Sequence, residues 1–268
     1  MTRLPTHTST LLALTACLLI TLPACSPKPT NTPSPPPPAP AETDSSVVSP
    51  NKSQPPTPSP HPHPLSPHLK INRDAGTLDL AAKMVHAKPD WLELIATTQG
   101  PNSRDHEAIV TIAAKPSEIH LALLTLGLTP GAPLINKHVD GRFLPDPPTG
   151  PAVRVFFVYE IDGQTIQTPA HEWVVDQATG QPLADTPWLF TGSQFRQWQG
   201  KEYYMADENG NAVSLVNFGD DLLVRQTHTT QNNDAQALQL NEAAALPYGT
   251  PLTLRIQTIP RKIPPPNP

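Results

Sequence analysis

The chain has 268 residues, a formal net charge of −5, 37 prolines and two cysteines. A modest negative charge with no basic stripe argues against nucleic-acid binding. Both cysteines, Cys17 and Cys25, lie near the start, so no cysteine set remains downstream for an iron–sulfur cluster, a thiolate zinc site or an internal disulfide.

The chain opens Met1-Thr2-Arg3, weakly positive, and turns apolar from Leu11 to Leu22. That run is too short to cross a bilayer core of ~30 Å, which takes about 20 apolar residues. Its length suits the apolar centre of a signal peptide, with the small Ala24 at the cleavage position. Leu22-Pro23-Ala24-Cys25 resembles a bacterial lipobox, with Pro23 where the pattern usually has Ala, Ser, Thr or Val. Leu14-Thr15-Ala16-Cys17 fits the four-residue pattern better but would leave only a stub of apolar run before it. Cleavage at residue 24 with lipid on Cys25 is therefore the expectation; an ordinary secreted protein cut at the same place is the alternative. The resemblance implies a diacylglyceryl group and usually an N-acyl chain. At ~0.8 kcal/mol per buried CH₂, more than one chain anchors a protein stably.

Residues 25–68 are rich in Pro, Ser and Thr, with Pro35 to Pro38 unbroken. So few apolar side chains cannot offset the entropy of ordering. Extended polyproline II at ~3.1 Å per residue makes this a stalk of up to roughly 130 Å. His61, His63 and His68 lie in it, where no fixed geometry would hold a metal. The globular pattern runs from 69 to 260 and suits one domain; 261–268 is a proline-rich tail.

Within the domain, strands are predicted at 77–85, 91–97, 153–161, 164–168, 202–206, 212–217, 222–227 and 252–258 from alternation and β-branched content. Asp162-Gly163 and Asn209-Gly210 read as hairpin turns. Pro116-Ser117-Glu118 opens a helix. Ile119, Ala122, Leu123 and Leu126 share one of its faces, and Gly127 stops it. Leu121 and Leu124 widen the apolar face, implying a helix packed well into the body. A weaker helical pattern covers 234–246. The sum is an α+β domain, mainly antiparallel β-sheet, with one clear buried helix at 116–127 and a second helix at 234–246.

No phosphate loop, dinucleotide fingerprint or nucleophile elbow is present, so no nucleotide cofactor and no iron–sulfur cluster are expected. His106-Glu107 and His171-Glu172 each begin like a zinc-protease helix, but Val110 and Val175 stand where the second histidine must be. The candidates left are scattered. His106, Glu107 and His120 could form an acid–base or metal site, with His106 and His120 as metal ligands. His120 on an apolar helix is also explained as a buried, hydrogen-bonded histidine. His86, His171 and Asp176 are further polar residues. Trp91, Trp173, Trp188 and Trp198 are most simply core and rim, although Glu172, Trp173 and Trp188 could line one groove.

Asp105-His106-Glu107, Lys115-Pro116-Ser117 with Ile119-His120, Leu126-Gly127, Gly150-Pro151 and Glu172-Trp173 resemble the YdjY-domain family of bacterial exported proteins. The likeness continues through Trp188 to Ser193, Asn217-Phe218 and Pro247 to Thr250, covering 70 to 258. It implies a secreted or lipid-anchored protein without an established activity, and adds Asn217 to the binding candidates. Many members carry a cysteine just before the His-Glu pair; Ala96 to Gln99 has none here, which weakens a redox role. The expectation is a lipid-anchored binding or scaffold domain outside the cytoplasm. It would touch the membrane through Cys25 and meet a protein or cell-envelope partner. The alternative is a metal-dependent or hydrolytic enzyme using His106, Glu107 and His120.

Overall fold

Leu78, Leu80, Ala82 and Met84 alternate with wetter residues along the strand Thr77–Met84, β1 in the numbering below. A strand that hides every second side chain has one face on a core and one toward water. The computed structural model describes residues 66–85, 92–226 and 237–260. Seven further strands join β1: β2 Leu94–Thr98, β3 Ala108–Ile112, β4 Ala152–Ile161, β5 Trp188–Phe190, β6 Asn211–Ser214, β7 Leu223–Arg225 and β8 Pro251–Thr258. They run β1-β8-β4-β5-β7-β6-β2-β3 and return to β1, an eight-stranded closed barrel. Ala82, Lys83 and Met84 of β1 pair with Ile112, Thr111 and Val110 of β3 to close the ring. Closure leaves no free edge in the ring for another chain to pair with.

The two sides of the barrel differ. β1, β4 and β8 alternate, with Val153, Val155, Phe157, Leu252, Leu254 and Ile256 turned inward. β2, β3, β6 and β7 are buried along their whole length, so their outer faces are covered too. Pro116–Thr125 (α1) adds Ile119, Ala122 and Leu123 to the same buried cluster. Its start is secured by the Glu118 carboxylate, which accepts the Lys115 N–H at 2.8 Å. Gly127, at φ 82°, follows its end.

Outside the ring, Leu69–Asn72 pairs with the first half of β1, and Gln164–Pro169 folds back on β4. Val174–Asp176, Gln181–Pro182 and Leu238–Leu240 form a small separate sheet. Two hairpins stand apart: Ile135–Val139 with Arg142–Asp146, and Phe195–Trp198 with Lys201–Tyr204.

Four expectations are corrected. The domain is not α+β but mainly β, 47% strand against 12% helix, and only one helix among the described residues reaches seven residues. Its pairing is mainly antiparallel, as expected, with β2 beside β3 and β6 beside β7 running parallel. The helix expected over 234–246 is absent from 237 onward, because Leu238 and Leu240 are used in a strand beside Val174–Asp176; residues 234–236 lie outside the described part. Asn209-Gly210 is not a hairpin turn. It ends a short helix, Met205–Asn209 (α2), with Gly210 left-handed at φ 72°, a role Gly fills as well as a tight turn. Finally, Leu121 and Leu124 are 50% and 42% exposed, so α1 lies on the barrel with one apolar edge in water. Cys17, Cys25, the leader, the proline-rich segment up to residue 65, His86, Trp91 and the tail 261–268 lie outside the described residues.

Candidate functional site

Two parallel strand pairs joined by short loops create the most polar region. β2 returns to β3 through 99–107, and β6 to β7 through 215–222. Both loops are shorter than the roughly dozen residues a parallel connection usually takes. Arg104 ties the first loop to the second. Its guanidinium carbon lies 4.1 Å from the centre of the Phe218 ring, within cation–π range. Nη1 donates to Asn211 Oδ1 at 3.3 Å and Nη2 to Glu93 Oε2 at 3.2 Å. Nη2 also pairs with Glu107, whose other oxygen is 3.2 Å from His106 Nε2. Burial, reinforced by the neighbouring Glu107 charge, pushes the Glu93 carboxyl up, and Arg104 pulls it back down. A groove of about 460 Å³ lies between Ser103, Arg104, Glu208, Asn209, Asn211 and Asp220.

The floor of this region is two adjacent acids. Asp220 accepts from the side-chain amides of Asn209 and Asn211, the latter at 2.7 Å. Asp221 is fully buried and uses Oδ2 to accept the N–H groups of Phe218 and Gly219 at 3.0 and 3.2 Å. Its Oδ1 makes no hydrogen bond. Burial pushes Asp221 up to about 7, while the nearby Ser214 hydroxyl and the two N–H groups pull the other way. Gly210 locks the loops together: its carbonyl accepts Thr97 Oγ1 at 3.0 Å, and that hydroxyl accepts the Arg104 N–H at 3.1 Å. A Cβ on Gly210 would stand 2.6 Å from the Asn102 carbonyl oxygen, so no other residue fits there.

The sequence candidates are divided by the fold. His106 and Glu107 meet in a single 3-10 turn, with His106 69% exposed. His120 is not part of that contact. Its Nδ1 lies 2.8 Å from the Tyr204 hydroxyl, and its ring meets Phe190 edge-on at 5.0 Å. Burial lowers its pKa against the opposing pull of the Gly192 carbonyl. No group of three or more His, Cys, Asp or Glu placed to hold a metal exists among the described residues. Trp173 is buried between Phe157 and Tyr159 and donates to Thr168; Trp188 is buried and donates to the Ser214 carbonyl at 3.1 Å. Glu172 is exposed, and its carbonyl accepts from Asn241. Asn217 is buried within the 215–222 loop. The indoles of Trp173 and Trp188 thus serve the core and do not line a surface groove.

The hairpin 195–204 was not singled out from the sequence. Its turn is Gln199-Gly200, with φ positive at both residues, the backbone a two-residue hairpin takes; lacking Asn or Asp before the Gly, it gives a weak signal. Phe195 faces Tyr204 with ring centres 5.0 Å apart. The Tyr204 hydroxyl donates to the Gly192 carbonyl at 3.0 Å and accepts from His120. The root of the hairpin is therefore fixed, while Trp198 near its tip is 67% exposed and Phe195 60%. A groove of about 420 Å³ runs along it, lined by Arg196, Gln197, Trp198, Tyr203, Met205 and Glu208.

No match was found among curated proteins or among solved structures. The family model of the YdjY domain matches residues 69–257, and the chain belongs to that family.

Proposed function

Proceeding from membership of the YdjY domain family, we propose that this protein is a binding domain held outside the cytoplasm by a lipid on Cys25. The proline-rich stretch 25–68 spaces it from the membrane, and the 195–204 hairpin meets its partner. The observation that carries the reading is Trp198, a large indole left 67% exposed on a hairpin pinned at its root by Tyr204. Leaving such apolar area in water forgoes roughly 25 cal/mol per Å², and a fixed exposed aromatic marks a contact surface. The crossover loops support a non-catalytic role: Arg104, Glu93, Glu107, Asn211 and Asp220 are engaged with one another. The enzyme alternative has less support, since His120 is committed to Tyr204 and not to His106 and Glu107.

Fractionation and add-back test both parts. Wild-type chain should sediment with membranes, and Cys25→Ser should move to the soluble fraction. Purified Cys25→Ser chain should then be retained by cell envelopes, and adding Trp198→Ala should lower retention about tenfold without shifting the thermal midpoint. Retention indifferent to Trp198 would remove the hairpin from the proposal. Membrane retention of Cys25→Ser in cells would move the anchor to Cys17 or to an uncleaved leader.

A further inference from the structure

The hairpin that carries the proposed binding role has two chemically different faces. Cross-strand pairing sets Phe195 opposite Tyr204 and Gln197 opposite Glu202; Arg196 stands opposite Tyr203 and Trp198 opposite Lys201. Paired residues share a face and successive pairs alternate. Phe195 and Tyr204 thus share the face that carries the His120 contact, Tyr204 engaged there and Phe195 60% exposed beside it. The opposite face carries two aromatic rings and two cations, and it opens into the groove completed by Met205 and Glu208.

We infer that this face binds a glycan strand bearing carboxylates, an inference that rests on the binding reading above. Three features of the groove select that chemistry. A pyranose ring presents an apolar C–H face, and an exposed indole beside a half-buried phenol is a flat apolar surface to receive it. Arg196 and Lys201 give the same face an excess of positive charge over Glu208, the one carboxylate lining the groove. Arginine in particular recognises a carboxylate through two parallel N–H bonds. Glu208 and the Tyr203 hydroxyl supply an acceptor and a donor for sugar hydroxyls.

A lipid surface fits less well. The rings share their groove with Arg196, Gln197 and Glu208, a polar lining suited to hydroxyls rather than to acyl chains. The turn next to Trp198 is the polar pair Gln199-Gly200, which offers no apolar side chain of its own to enter a bilayer.

The test uses the full mature chain with Cys25→Ser, so that no lipid obscures the result. Calorimetry would compare three probes: a hexameric oligouronate, a neutral hexasaccharide, and vesicles containing anionic phospholipid. The oligouronate should bind, Trp198→Ala should weaken it at least tenfold, and Arg196→Gln should weaken it severalfold, more than it weakens any binding of the neutral hexasaccharide. Near-ultraviolet circular dichroism on each variant separates lost contacts from lost fold, and Trp198→Phe, which keeps a ring, should retain part of the affinity. Oligouronate binding indifferent to Trp198 and Arg196 would overturn the assignment. So would vesicle binding without glycan binding, although that result leaves the hairpin as a binding element. If none of the three probes binds while cell envelopes still retain the chain through Trp198, the glycan assignment fails and the binding reading stands.

Discussion

The Tyr204 hydroxyl lies 2.8 Å from His120 Nδ1 and 3.0 Å from the Gly192 carbonyl. A phenol has one proton to give. It goes to the carbonyl, so Nδ1 of His120 must carry the hydrogen that points back. One side chain thereby joins the hairpin, α1 and the segment after β5.

Tyr204→Phe should therefore cost more than a surface hydroxyl. The His120 N–H and the Gly192 carbonyl both lose their partner in a half-buried place, a loss of about 1–2 kcal/mol. Urea unfolding measures it directly. The hairpin should also loosen at its root, so oligouronate affinity should fall in the same variant although Tyr204 is not on the cationic face. Unchanged stability would show that water replaces the phenol without penalty.

Asp221 should make stability fall as pH rises from its ordinary value of 3.8 to about 7 and level off above that. Its folded value, near 7, lies above its ordinary 3.8, so the folded state keeps a proton that the unfolded chain has released. That contribution is fully present below the unfolded value and is lost as pH climbs to the folded one. Asp221→Asn keeps an oxygen for the Phe218 and Gly219 N–H groups and carries no charge. It should match the parent at about pH 3.5 and exceed it by a few kcal/mol, in order of magnitude, above about pH 7.5. Urea midpoints across that range decide the matter, and a constant offset at every pH would contradict it.

Arg104→Met should expose a repulsion that the arginine conceals. Without the guanidinium, Glu93 and Glu107 face each other as like charges, and the Glu93 carboxyl, already raised by burial and by the Glu107 charge, loses the cation that holds it down. The expected loss is roughly 2 kcal/mol at neutral pH, below the 3–5 of a fully buried pair because these side chains keep some water contact. It should fade as pH falls through the carboxylate range. Combining the change with Glu107→Gln should restore part of the stability at neutral pH. A loss that persists unchanged in acid would assign Arg104 a packing role against Phe218 instead.

Much of the barrel could be read from local chemistry. Alternation in β1, β4 and β8, the Asp162-Gly163 turn and the Pro116 and Gly127 limits of α1 each have a short-range cause, and each appears in the structure. Ring closure did not show, because pairing Met84 with Val110 is a matter of long-range register and leaves no mark on either segment. Asn209-Gly210 misled because a left-handed glycine serves a helix end and a tight turn equally. At the candidate site, His106 and Glu107 stood out as a polar pair, whereas Arg104 and Glu93 carry no local signal of the contacts they make. Asp220-Asp221, set directly before Leu222-Leu223, was the available clue: two acids entering an apolar strand need partners that the rest of the chain must supply.

The strand Leu69–Asn72 lies outside the ring and holds to it by pairing with β1, with Leu69 in the core and Ile71 packed against it. Any pull arriving along the upstream chain reaches this short strand first. Its four residue pairs can peel away while β1 keeps its full contact with β8 on the other side. A load from that side would therefore fall on these four pairs and on the Leu69 contact with the core before it strained the ring pairs of β1 with β8.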